Sequence, residues 1–266
     1  LTSSGAKPGE EAGRQESGGS FNRLIRIVAR PGEVRGALED DYHHFRVAIR
    51  HENGVITGVE SEALRVPYSL CPAAGNQMKA LVGRPLSSDV TQLPQAINAR
   101  MQCTHQFDLA CFLVTAAARG DATRTYHAQI ADQPEDAKRA RLYRDGECIL
   151  DWTVAGSTIL SPPELADCNL GKGFTAWAAS LQDPQTAEAA LVLRRAVFLS
   201  AGRAMTEWIE QKIHASAAGG CWVQQPERNE AAVRQHGTTC DFSGRSVELT
   251  SDDESWLYEV PAHSAS

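Results

Sequence analysis

The chain has 266 residues, of which 42% are hydrophobic and 22% charged, and its formal net charge is −7. That balance excludes a general nucleic-acid binder, because there is no excess of basic residues to neutralise phosphates. No apolar run approaches the roughly 18 residues of a membrane span, and the length suits one hydrophobic core with tails.

Residues 1–20 are small, polar and charged, and are expected to stay disordered because they cannot bury enough surface to offset ordering entropy. A single α+β domain is expected over residues 21–218 and an irregular tail over 219–266. The first ordered runs, NRLIRIVAR, EVRGALEDD, YHHFRVAIRHE and GVITGVESEAL, read as strands separated by Pro31-Gly32 and Asn53-Gly54. Asn-Gly between alternating runs is a strong hairpin signal. In the strand ending at His51, Phe45, Val47 and Ile49 share one face, and His43 falls on the same side by parity. His44, Arg46 and Arg50 share the other face, which is expected to be solvated.

Pro67 and Pro72 bracket Tyr68-Ser69-Leu70-Cys71 as an extended connection. Asn76 to Val82 and Leu93 to Arg100 are expected to be short helices. From His105 to Ala118 apolar residues recur at helical spacing, with Thr104 as the expected N-cap. Thr123 to Ala131, Ala137 to Tyr143 and Glu147 to Val154 read as strands, the last two joined by Asp145-Gly146. Ser161-Pro162-Pro163-Glu164 is expected to open a helical region, and a long helix is expected from about Pro184 to Ile213. The resulting fold class is α+β, an antiparallel sheet of about seven strands packed against inserted helices and the long C-terminal helix. No internal repeat is apparent.

The chemistry-bearing residues of the central segment are His43, Cys71, Cys103 and His105. His105 in the first turn of a helix would be kept neutral by the macrodipole, making it a competent general base, and Asp108 one turn on could hold its ring. Two cysteines and two histidines could close a zinc site, but C-x-H is tighter than structural zinc spacings. No metal or other cofactor is therefore assigned, and zinc is kept as an alternative. Buried cysteine commonly packs as a small apolar residue. Glu60, Tyr68 and His127 are further candidates for acid, base or substrate contact, and Arg46 for binding a carboxylate.

Seven cysteines, at 71, 103, 111, 148, 168, 221 and 240, form no C-x-x-C pair. With no basic-then-apolar export signal in the given sequence, they read as reduced thiols and the expected location is the cytoplasm.

Residues 24–119 carry an ordered set of elements: a histidine opening a strand (His43 in HHFRVAI), VITGV, PYSLC, LVGRPL and CTHQFDLA. As a set they resemble a bacterial family catalogued only as a domain of unknown function. The usual form has Asp-Met after the first histidine and Gly before Cys-Thr-His. Here those positions are His44-Phe45 and Gln102, which marks a divergent branch. The long helix and the segment CWVQQPERNEAAVRQHGTTCDF are similar to an extended subgroup associated with aromatic-degrading proteobacteria. That resemblance implies catabolism of lignin-related aromatic compounds by a cofactor-independent carbon–carbon lyase that releases formaldehyde. His43 or His105 would be the base and Glu60 or Tyr68 the acid, with Arg46, His127, Cys71, Cys103 and Asp108 in contact with substrate. The expected partner is a small aromatic substrate, with no nucleic acid or membrane, and a homodimer is left open. A non-catalytic aromatic-binding protein and a zinc-dependent hydrolase or lyase are the alternatives.

Overall fold

The computed structural model describes residues 18–259, so the expectation for residues 1–20 falls almost wholly outside the described part. Four strands come first: β1 (Ser20–Arg30), β2 (Glu33–Asp40), β3 (His44–Glu52) and β4 (Val55–Arg65). Asn53 and Gly54 both have positive φ, 51° and 76°, the backbone that a tight hairpin demands of its two central residues. Short helices α1 (Cys71–Ala74) and α2 (Gln92–Ala96) lead to α3 (Thr104–Arg119). Then come β5 (Thr123–Ala131), β6 (Lys138–Arg144), β7 (Glu147–Ala155) and β8 (Thr158–Ser161). Helices α4 (Phe174–Ala179), α5 (Pro184–Ser200), α6 (Thr206–Glu210) and α7 (Glu254–Tyr258) complete the order.

The fold is α+β. All eight strands form one antiparallel sheet in the order β4-β3-β2-β1-β5-β6-β7-β8. Two four-stranded meanders thus extend in opposite directions from a central β1–β5 seam. Each meander is followed by a long helix: α3 lies on β1–β3 and α5 on β5–β7. This repeat of topology is carried by different residues in each half, which is why no repeat shows in the sequence. The core lies between the sheet and the two helices. It is anchored by Phe21, Phe45, Phe107, Tyr126, Trp152 and Phe174, each at most 1% exposed. Burial of each such side chain stabilises the fold by about 1.5–3 kcal/mol.

Three local expectations change. Residues 158–161 form an eighth strand where a helical region was expected to open. It is only four residues long with one fully buried side chain, Ile159, too little alternation to be read. The long helix stops at Ser200 instead of reaching Ile213. A Cβ at Gly202 would stand 2.8 Å from the Tyr42 hydroxyl, so the chain passes close to Tyr42 there and turns. Arg203 next to it is drawn to Asp41, Asp132 and Asp241, and a 3-10 turn leads into α6. Cys103, not Thr104, occupies the N-cap of α3.

The segment after α6 has little regular structure, yet it packs onto the body. Ala215 and Ala232 are joined by a 2.9 Å backbone bond, and Tyr68 bridges Arg234. The chain then crosses to the outer face of the sheet. There Leu257 packs on Val28 and Ala37, and Trp256 lies 5.4 Å from the guanidinium groups of both Arg35 and Arg46. Among the described residues no helix is long and apolar enough to cross a membrane.

Candidate functional site

The turn between β2 and β3 is built on one carboxylate. Asp40 Oδ1 accepts the backbone N–H groups of Tyr42 (2.8 Å) and His43 (2.9 Å), and also faces His43 Nδ1 at 3.0 Å. The other oxygen, Oδ2, is paired with Arg23 on β1, which stands across from Asp40 in the strand register. Asp40 is fully buried and Arg23 nearly so. Burial alone would raise the Asp40 pKa. His43, Arg23 and the hydrogen bonds outweigh it and hold the carboxyl well below the usual range. Burial lowers the His43 pKa by more than Asp40 raises it, so the imidazole is neutral at pH 7. An ionised Asp40 can only accept, which assigns the proton to Nδ1 and leaves Nε2 with a free lone pair.

A second imidazole stands against the first. The start of α3 places the His105 ring 3.9 Å from that of His43, centroid to centroid, and 6.2 Å from Phe45. His105 Nδ1 is buried and has no hydrogen-bond partner among the described residues. Burial first, then the neighbouring His43, Arg23 and Arg195, lowers its pKa well below the ordinary value. A buried polar atom without a partner is uncommon in a folded protein and marks a place where a ligand or water completes the bonding.

Both rings open on a cavity of about 210 Å³. Phe45, Pro67, Ala74, Leu199 and Val223 supply apolar wall, and Tyr68, Thr104 and Gln224 supply polar tips. An apolar cavity of about 150 Å³ can hold benzene, so one aromatic ring with a short substituent fits here. Three thiols also line it: Cys71, Cys103 and Cys221. Burial pushes the Cys103 thiol up to about 11 and raises Cys71 further, so neither is a ready nucleophile at neutral pH. Burial likewise raises the Tyr68 pKa, keeping the phenol protonated. Among the described residues no three His, Cys, Asp or Glu side chains are grouped to hold a metal ion.

Of the residues singled out in the sequence, His43, Tyr68, Cys71, Cys103 and His105 converge on this cavity. The others lie elsewhere. Asp108 does not hold the His105 ring; it pairs with Arg195 at 2.7 Å, because its position on α3 faces α5. Glu60 is on the outer face of β4, its carboxylate exposed and bound to Arg50 at 2.7 Å. Arg46 is also on the outer face, where its Nε donates to Asp253 at 2.5 Å. His44 is not solvated: it is buried under the C-terminal segment, with Nε2 2.8 Å from Asp253 Oδ2. His127 is on the outer face of β5, 3.0 Å from Asn22 Oδ1 and stacked on Tyr143.

Sequence reasoning missed Asp40, Arg23 and Cys221. Two of these had a signal. Arg23 shares parity with Ile25 and Ile27, and an arginine on an in-facing strand position requires a buried partner. Asp40 stands three residues before His43 at a strand end, the spacing of a side-chain-capped turn. Cys221 had none, since it is brought in by an irregular segment.

A domain of the DUF2889 family, described as a protein of unknown function, is found over residues 31–119. It spans β2 through α3 and so contains Asp40, His43, Tyr68, Cys71, Cys103 and His105. Arg23, Leu199 and Cys221 lie outside it. No curated protein matches the chain, and no solved structure does.

Proposed function

We propose that the protein is a small-molecule enzyme of aromatic-compound catabolism in which the Asp40–His43 dyad is the general base. The observation that carries this is the pairing of a fully satisfied carboxylate with a neutral imidazole at the wall of an apolar, ring-sized cavity. A base poised in this way, with an orienting carboxylate behind it, is the arrangement that proton abstraction needs. The seven free cysteines support a reducing compartment such as the cytoplasm.

The specific reaction is a carbon–carbon lyase step on a hydroxymethyl-bearing aromatic, without a cofactor; its choice rests on the resemblance to the aromatic-degrading subgroup. His43 Nε2 takes the proton of the hydroxymethyl oxygen. The O–H electron pair becomes the second C–O bond of formaldehyde as the C–C bond breaks. The pair released from the C–C bond forms a C=C bond to the neighbouring side-chain carbon, and that carbon's bond to an oxygen substituent breaks. Tyr68, held protonated, donates to the departing oxygen, and the imidazolium proton then restores the phenol. Asp40 stabilises the imidazolium in between, and His105 shapes the polar end of the cavity.

The test is to incubate purified protein with hydroxymethyl-bearing phenols that carry an oxygen leaving group and to trap formaldehyde. One equivalent per substrate consumed is expected, with a loss of about 10²–10⁴-fold in His43→Ala. An aromatic that binds but returns unchanged after long incubation would establish the non-catalytic binding reading instead.

A further inference from the structure

Helices α3 and α5 leave a cleft of about 410 Å³ between them, separate from the histidine cavity but bordering it at Thr104. On α3 the positions facing it are Thr104, Phe107, Asp108 and Cys111, at the spacing of one helix face. On α5 they are Leu191, Arg194 and Arg195, and the turn before α3 adds Arg100. Three guanidinium groups thus meet one carboxylate. Asp108 is already engaged by Arg195, through contacts of 2.7 and 3.4 Å to its two oxygens.

Arg194 has no ion-paired or hydrogen-bonded carboxylate among the described residues; Asp108, whose charge reaches it, is bound to Arg195. The Arg194 Nε donates to the Leu170 carbonyl, and its Cζ lies 5.7 Å from the centroid of the Phe174 ring and 5.1 Å from that of Phe198. The Arg100 side chain is exposed and has no hydrogen-bond or ion-pair partner among the described residues. Two cations without a bonded carboxylate therefore stand at a cleft whose accessible apolar wall is formed by Pro94, Ala99 and Leu191, all partly exposed. A planar guanidinium fork suits a carboxylate, and the two neighbouring rings confine Arg194 for that role. The positive end of the 16-residue helix α3 points the same way.

We infer that the cleft between α3 and α5 is a binding site for an arene carboxylate, with the carboxylate on Arg194 and Arg100 and the ring against Pro94, Ala99 and Leu191. The site stands on its own residues and does not depend on the lyase reaction.

The experiment is calorimetric titration of the full chain with benzoate, and with benzamide as the uncharged control. Saturable binding of benzoate, weakened by salt, is expected, together with much weaker binding of the amide. Arg194→Gln is expected to weaken benzoate about tenfold, the equivalent of one charge-assisted contact. Arg100→Gln is expected to act in the same direction, and since that side chain is exposed the variant keeps its fold. His43→Ala is expected to leave benzoate binding unchanged. Absence of saturable binding would overturn the inference, as would binding indifferent to both arginine substitutions. Loss of binding in His43→Ala would place benzoate in the histidine cavity, overturning the cleft site while leaving the proposed base intact.

Discussion

The two halves of the sheet each bury a polar cluster under a long helix, and the clusters differ in how completely they are satisfied. In the half built on β5–β8, Glu188 of α5 accepts from Thr115 (2.5 Å), Tyr126 (2.7 Å) and Arg119 (2.9 and 3.2 Å). Its carboxylate is fully buried, both oxygens are engaged, and the bonds lock α5 to α3 and β5. In the half built on β1–β4, Asp40 is equally buried and equally satisfied, but the imidazole it holds is not. Beyond His43 lies a second ring with an unpartnered nitrogen and then a cavity. A closed network fixes structure, whereas one that ends on a free lone pair at a cavity wall can act on a ligand.

The largest expected effect breaks the open cluster. Besides His43→Ala, the variant Asp40→Asn should reduce formaldehyde release by at least about 10²-fold, because an amide no longer enforces the Nδ1–H tautomer. Steady-state turnover, corrected for the folded fraction, measures this, and near-normal turnover in Asp40→Asn would remove the carboxylate from the account.

The closed cluster should behave oppositely. Glu188→Gln removes the charged acceptor shared by Thr115, Tyr126 and Arg119, leaving Arg119 with Asp121, and should cost about 1–3 kcal/mol in denaturant unfolding. Turnover per folded molecule should stay near the wild-type value. If Glu188→Gln lowered turnover as far as Asp40→Asn without loss of stability, the contrast between the halves would be wrong.

A smaller effect is expected with pH. Both His43 and His105 have folded pKa values below the unfolded histidine value of about 6.5. Between those limits the unfolded chain binds more protons, so stability rises with pH there. The contribution is complete above about pH 6.5 and is lost as pH falls through the lower folded values. Turnover that needs neutral His43 should likewise be flat at neutral pH and fall only on the acid side. Half-maximal turnover at or above pH 7 would contradict a lowered His43 pKa. The smallest effect is expected at Glu60: Glu60→Gln on the exposed outer face should change stability by less than about 0.5 kcal/mol and leave turnover unaltered.

Much of the first half was legible because strand parity and turn chemistry are local. Parity placed His43 with Phe45, Val47 and Ile49, and Asn53-Gly54 gave the β3–β4 hairpin. Helical spacing after Cys103 put His105 in the first turn of α3. What was not legible depends on contacts distant in the chain. Arg46 and His44 looked free until a carboxylate more than two hundred residues away, Asp253, was folded onto them. Asp108 could have turned to His105 or to α5, and only the docking of α5 decides. The end of α5 at Ser200 depends on Tyr42, which packs where Gly202 passes.

The dyad itself can be observed through ¹⁵N NMR of the histidine rings, titrated from pH 4 to 8 without ligand and with a hydroxymethyl-bearing phenol. The expected result is a His43 that carries its proton on Nδ1, stays neutral to below pH 6.5, and shifts at Nε2 when the phenol binds. A His43 that is protonated at pH 7, or whose Nε2 is indifferent to a phenol that binds the protein, would contradict the assignment of Asp40–His43 as the base.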